Sequence, residues 1–356
     1  MEVYLNIDFF KAIKSPAFRA RMSARRREEA ATPPVSPGSS QIGRESKELG
    51  VPVTAGYGVM TEHGADAPQT AETHAKLFGD ATLKDVHDAF SQPAQNGYYT
   101  KVHRIHLSHG YMRGDRPARD TGDRGGVKAY VHGNTYHPQH GKVGTGFTRR
   151  IEFEPNGDKV AQHSSFYIDK DHQRNGVSKA MFRGVLPFYR KIGVKRVKID
   201  TLDKQGRHTW ARAGFHWGEA GTRRVRATLP SFLKRYGMSD DAARKVTLQT
   251  SNKPWEVAGI HLPVTENHKY AGRTGEEGHH QYHYYDRHGN PTLGNNAPVG
   301  HPEHDPSKGA PHLHVGHAYL TDDINGGHIW QDGGTLELQD GHPSYEHAKR
   351  YFGLKD

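Results

Sequence analysis

Residues 166–200, FYIDKDHQRNGVSKAMFRGVLPFYRKIGVKRVKID, constrain the fold of this 356-residue chain more than any other stretch. An apolar strand ends at Ile168, and a polar turn carries Gln173-Arg174-Asn175-Gly176-Val177-Ser178. A helical pattern follows at once, with Val177, Met181, Val185, Phe188 and Ile192 forming one apolar stripe. Pro187 lies inside that pattern, where a kink is expected. The strand VKRVKID (194–200) comes next, and a second helix ends at Ala213-Gly214-Phe215. At a strand-to-helix junction the first helical amides lack partners and the helix dipole adds positive charge. Such a turn suits a pyrophosphate. Gly176 leaves the backbone open to phosphate oxygens, and Arg174 and Lys179 add charge.

Upstream, KVHRIHLSHGYM (101–112), VKAYVHGNTY (127–136), GTGFTRRIEFE (144–154) and KVAQHSSFYID (159–169) read as strands. PNGD (155–158) forms a hairpin turn between the last two. Several antiparallel strands, a helix, a strand and a helix predict an α+β (α/β) fold with a mixed, mainly antiparallel sheet and flanking helices.

The turn also resembles the acetyl-CoA signature of the GNAT superfamily of N-acetyltransferases, Gln/Arg-x-x-Gly-x-Gly/Ala after the fourth strand. Here the residues are Gln173-x-x-Gly176-x-Ser178, and the resemblance covers roughly residues 95–220. Asp203 stands where the family has Asn, while Gly206, Trp210 and Gly214-Phe215 occupy its later landmarks. The resemblance implies acetyl-CoA bound along Ile168, Gln173, Arg174, Asn175, Gly176, Val177, Ser178 and Lys179, with Asp203 and Trp210 beside it. It implies acyl transfer to an amine, in a gap where the fourth strand splays from the fifth. A backbone amide near Tyr167 would polarise the thioester carbonyl. Candidates for the general base are His163 on the fourth strand and Glu152 and Glu154 on the third. The family's tyrosine acid is replaced by Trp210, which leaves His208 as the candidate acid.

About half of the 27 histidines lie after residue 260. In His312-Leu313-His314 the two imidazoles of a strand face one side. They begin a site for a divalent metal such as zinc, which His301 or His304 and Asp305 would complete. Paired histidines can also act on a phosphodiester without metal, or simply line a binding surface. KGAPHLHVG resembles the ends of polymorphic-toxin domains, which implies a nuclease-type effector.

Residues 9–31 read as a helix whose later turns carry Arg19, Arg21, Arg25, Arg26 and Arg27. With the strand-like VPVTAGYGV (51–59), this part resembles small head–tail connector proteins of tailed phages, implying phage virion components as partners. A structural virion protein with a degenerate fold is the alternative to an enzyme. TLKDVHDAF (82–90) and PSYEHAKRYF (343–352) read as helices. So does TLPSFLKRYGMSDDAARKV, whereas PWEVAGIHLPV and HIWQDGGTLELQ read as strands. Three units are predicted: an appendage over 1–92, the acyltransferase-like unit over 93–250 and a histidine-rich module over 251–356.

With 33% apolar residues, 41 Gly and 20 Pro, a core is expected in part of the chain only. The net charge of +10 favours an anionic partner such as nucleic acid, or a solvated helix face. No run approaches the ~20 apolar residues of a spanning helix, so no membrane partner is expected. Without cysteine there is no disulfide framework or thiolate ligand. The N-terminal residues show no secretory pattern, so a cytoplasmic or virion-associated location is expected.

Overall fold

The computed structural model describes residues 41–56, 68–108, 112–113, 116–117, 126–200, 204–274, 281–285, 291–322 and 325–354. The basic helix expected over 9–31 lies outside the described residues, as does Asp203. Among the described residues the chain is α+β. Its main sheet is built from β1 (Val53–Gly56), β2 (Tyr99–Ser108), β3 (Lys128–His137), β4 (Gly146–Phe153), β5 (Lys159–Tyr167) and β6 (Arg196–Ile199). The chain pairs β2 with β3, β3 with β4 and β4 with β5 antiparallel, then β5 with β6 parallel. β1 lies parallel to β2 at the far edge.

Helices α1 (Gln41–Leu49), α2 (Pro68–Phe78) and α3 (Leu83–Phe90) precede β2. Thr82 starts α3 with a capping box: its Oγ1 accepts from Asp85 N at 3.1 Å, and its own N–H donates to Asp85 Oδ2 at 2.8 Å. The parallel crossover from β5 to β6 is α4 (Val177–Lys191), which runs on through Pro187. Every residue of its sequence stripe is buried, from Val177 to Ile192. Lys159 Nζ donates to Leu77 O at 2.8 Å and to Ile192 O at 2.6 Å, placing its charge where α2 and α4 end. From α4, Tyr189 meets Phe90 edge-on, with Phe90 stacked on Phe147, and Phe182 meets Phe215 edge-on and stacks on Phe352.

After α5 (Lys204–Arg212), the expected single helix over TLPSFLKRYGMSDDAARKV is two, α6 (Gly218–Arg235) and α7 (Asp240–Thr250). Gly237, at φ 90, turns the chain between them, and Ser239 caps α7. PWEVAGIHLPV is not one strand. Pro254 occupies the first turn of α8 (Pro254–Ala258), a position where its missing N–H costs nothing, and only Leu262–Pro263 pair as β7.

The second sheet is antiparallel, in the order β7, β11 (His312–Leu313), β10 (Pro291–Gly294), β9 (Gln281–Tyr285) and β8 (Lys269–Thr274). Gly294 is required where β10 meets β9, since a Cβ there would lie 2.5 Å from the buried Tyr284 ring. Helices α9 (Val315–Thr321) and α10 (Asn325–Ile329) lead back to the first sheet. There β12 (Gly334–Glu337) pairs antiparallel with β6, and α11 (Pro343–Phe352) packs on α4.

The chain after 251 supplies the last strand of the first sheet, and one hydrophobic core extends from Ile42 to Phe352 with Tyr282, Tyr284 and Leu313 inside it.

Candidate metal centre and the turn before α4

The register between β4 and β5 shifts at Thr148/Arg149, so that Ser165 faces Thr148, His163 faces Arg149, and Ser164 is the extra residue of a bulge. The parallel pairing of β5 with β6 ends at His163 and Ile199, while β5 runs on to Tyr167. The strand thus outruns its partner just after the bulge. Tyr167, at the free end, is 50% exposed.

From there the chain turns into α4. Gln173 Nε2 donates to Ile168 O at 3.0 Å, and Asn175 Nδ2 donates to His172 O and Gln173 O, both at 3.1 Å. Arg174 has φ 68 and Gly176 φ 67, the second forming a left-handed N-cap without a side-chain hydrogen bond. Two anchors, Gln173 and Asn175, hold the backbone in a shape that a non-glycine at 176 would strain. A Cβ on Gly176 would also meet the Gln95 side chain at 3.3 Å, and Asn96 Nδ2 donates to Asn175 Oδ1 at 2.8 Å. The segment around Gln95–Gly97 therefore flanks the turn. Val177 packs with Tyr98 and Val143, and Ile168 joins that small cluster. Ser178 is half-buried, and Lys179 is exposed with its Nζ 5.5 Å from the Tyr351 ring centre.

The sequence-predicted acid and base candidates sit elsewhere or are engaged. His163 is buried, its Nε2 is 2.9 Å from Tyr189 Oη, and its Nδ1 has no hydrogen-bond partner. Burial, then the neighbouring Arg149 charge, holds it well below the ordinary histidine range. Glu152 is paired with Arg150 at 2.9 Å and Lys128 at 3.4 Å, and Glu154 with Arg196 at 3.0 Å and Lys198. Trp210 packs edge-on against Phe182 at 5.4 Å and Phe215 at 5.2 Å, an aromatic core contact. His208 faces His317 with ring centres 4.5 Å apart. Burial first, then His317 and Arg212, push His208 down to about 3. These placements leave the turn before α4 without a free carboxylate or imidazole from that set.

Histidines of the later chain converge instead on one point. His261, His312 and His314 each offer a ring nitrogen, and the three nitrogens lie within 4.8 Å of one another. They could hold a metal ion, and among the described residues no other such group of His, Asp and Glu occurs. His261 Nε2 and His314 Nδ1 are 3.1 Å apart. The arrangement follows from two short strands. Leu262 pairs with Leu313 and both side chains are buried, so the histidines flanking them project to the opposite face. The backbone of this segment is fixed on both sides, with His312 N donating to Asn295 Oδ1 and His314 N to Leu293 O, each at 2.7 Å.

Metal binding needs neutral imidazoles. Burial, then His261 and His312, lower His314 to about 4, and burial, then His312, lower His261. His261 is exposed and the other two are half-buried, so the centre opens to solvent. Three histidines with an open face match the donor set of catalytic rather than structural zinc.

Of the four histidines predicted as ligands, His312 and His314 belong to this centre and His301 and His304 do not. His304 Nδ1 lies 2.9 Å from Ala297 O, and His301 Nδ1 accepts from Glu303 N at 3.2 Å while its ring meets Tyr270. Asp305 instead caps Pro306–Lys308, accepting from Ser307 N at 3.0 Å and Ser307 Oγ at 2.6 Å. All three shape a loop folded around the buried Asn296, whose Nδ2 donates to Asp305 O at 2.7 Å and Gly309 O at 3.1 Å. The third ligand, His261, was missed because its segment reads as a longer strand. Only the structure shows it: His261 precedes Leu262-Pro263, which pair antiparallel with His312-Leu313.

No protein-family model matches the chain, and no curated protein matches it. Among the described residues no helix is long and apolar enough to cross a membrane.

Proposed function

We propose that the main sheet carries an acetyl-CoA-dependent N-acyltransferase site acting on an amine. The observation that supports this reading is the path of β5: bulged at Ser164, continuing past its parallel partner β6, and entering α4 through left-handed Gly176. The pantetheine would lie beside β5 beyond its pairing with β6, and the pyrophosphate against the amides of Val177, Ser178 and Lys179. In the transfer the amine nitrogen bonds to the thioester carbonyl carbon, the carbon–sulfur bond breaks, and the amine proton leaves as the thiolate is protonated. Backbone amides near Tyr167 would stabilise the oxyanion. With His163 buried and Glu152 and Glu154 ion-paired, proton transfer falls to water at the open end of β5. The chain carries this out in the cytoplasm. Calorimetry with acetyl-CoA tests the reading, because a chain that ignores the ligand at millimolar concentration has no such site.

A second reading is favoured by the histidine centre, and the two are compatible. His261, His312 and His314 would hold a divalent metal such as zinc, and a metal so bound lowers the pKa of its water enough to supply hydroxide near neutrality. The chemistry is hydrolysis, with a nuclease-type phosphodiester as the substrate class. Metal analysis and a plasmid-nicking assay test it. Replacing His312 and His314 together by alanine should abolish both signals, and unchanged nicking would remove this reading.

A further inference from the structure

We infer that α6 and α7 form a helix-turn-helix that binds duplex DNA, with α7 in the major groove and α6 along the phosphates. This stands apart from both readings above. The two helices are joined by residues 236–239 alone, with Gly237 at φ 90 in the turn. Val225, Leu229, Phe232 and Leu233 anchor α6 in the core. In α7 only Ala243 and Thr247 are fully buried, so most of this helix faces solvent. Lys245, Leu248 and Gln249 lie on its outward face, where Leu248 is 70% exposed. Gln249 offers the paired amide groups that read adenine, and Leu248 offers apolar contact to a thymine methyl.

Charge is concentrated on the same hairpin. Residues 218–253 carry eight Lys and Arg against three Asp and Glu, half of the chain's net +10. A groove of about 340 Å³ between the helices is lined by Arg226, Ser231, Lys234, Asp240 and Arg244. Asp240 is held by Lys234 at 2.8 Å and Arg244 at 2.9 Å, and Glu219 lies 4.0 Å from Arg223. Arg224, Arg226 and Lys245 are exposed and have no ion-pair partner among the described residues. Arg226 Nε donates to Ser251 Oγ at 3.0 Å, which fixes its guanidinium at the groove. A backbone with one negative charge per phosphate matches this run of cations. Two features favour duplex DNA over other nucleic acids. Phe232 and Tyr236, the aromatic residues of the hairpin, are buried, so no ring is offered to an unstacked base. A helix also fits the major groove of B-form DNA, whereas the deep, narrow groove of duplex RNA excludes it.

The test is fluorescence anisotropy of a labelled DNA duplex, two helical turns long, titrated with the full chain across a salt series. Wild type should bind with an affinity that falls as salt rises. Arg224→Glu combined with Lys245→Glu should weaken binding by about tenfold or more while circular dichroism stays unchanged. Arg226→Ala should weaken it less and lower the slope of log affinity against log salt by about one. Lys101→Glu combined with Lys142→Glu, the same charge change at exposed positions on the main sheet, should bind as wild type does. Absence of duplex binding by wild type at low salt overturns the inference. An equal loss in the two double variants also overturns it, as does tighter binding of a single strand or an RNA duplex of the same sequence.

Discussion

His261 and His314 bring ring nitrogens to 3.1 Å across 53 residues of chain. Neither residue is placed by its own helix or loop. A two-residue strand pair does it, with Leu262 and Leu313 buried opposite one another and the imidazoles turned the other way. If this register sets the donor set, His261→Ala should lose zinc as completely as His314→Ala, whereas His301→Ala and His304→Ala should keep it. Zinc at a hundred times its dissociation constant should add about 2.7 kcal/mol to stability in wild type and nothing in the first two variants. Metal content after gel filtration, with thermal shifts, measures both.

Gly176→Ala places a Cβ in a left-handed backbone and against Gln95, and should destabilise the protein by about 1 kcal/mol. The same substitution at Gly157, which also has positive φ but lies in an exposed turn with open space around it, should cost a similar backbone strain without affecting acetyl-CoA. Paired urea titrations and binding isotherms separate the two effects.

Tyr189→Phe removes the hydroxyl 2.9 Å from His163 Nε2 and leaves a buried imidazole with both nitrogens unpartnered. A loss of about 1–3 kcal/mol is the expected result from equilibrium unfolding. Catalysis by His163 would instead appear as a change in transfer rate at unchanged stability.

Several histidines are kept neutral by burial, among them His163 and His132, the latter lowered to about 4 by burial and then by Arg104, His103 and His106. Between these values and the ordinary 6.5, the unfolded chain binds more protons than the folded one. Their contribution is therefore complete above about pH 6.5 and lost as pH falls towards 4. The urea midpoint should drop steadily from pH 7 to pH 5, and a flat profile would show that these groups titrate normally.

Leu336, buried on β12, joins the end of the chain to the sheet that begins near residue 53. Leu336→Ala should cost about 2–5 kcal/mol and leave one cooperative transition, followed by circular dichroism and tryptophan fluorescence together. Two separated transitions would mean that the chain after 251 folds as its own unit.

Much of this fold is legible in the sequence where periodicity is local. β3, β4, β5 and α4 lie within a residue or two of the runs VKAYVHGNTY, GTGFTRRIEFE, KVAQHSSFYID and the Val177–Ile192 stripe. The PNGD turn also closes as read, with Glu154 N donating to Asp158 O at 2.8 Å. What the sequence hides is pairing across distance. Nothing in GGTLELQ says that it will pair with RVKI, and no spacing rule joins His261 to a strand fifty residues later. The charges of Glu152 and Glu154 look free in the sequence because Lys128, Arg196 and Lys198 become their neighbours only when the strands align. Burial of His163 has the same origin: period two puts it on one face, and only α4 decides that this face is the core.

Acetyl-CoA binding depends on the β5–Gly176–α4 junction, and calorimetry with acetyl-CoA on the full chain measures it most directly. Micromolar binding in wild type, lost in Gly176→Glu and weakened in the exposed Lys179→Glu while both variants keep their circular dichroism, is the predicted result. No heat of binding to the wild-type protein at millimolar acetyl-CoA would contradict it.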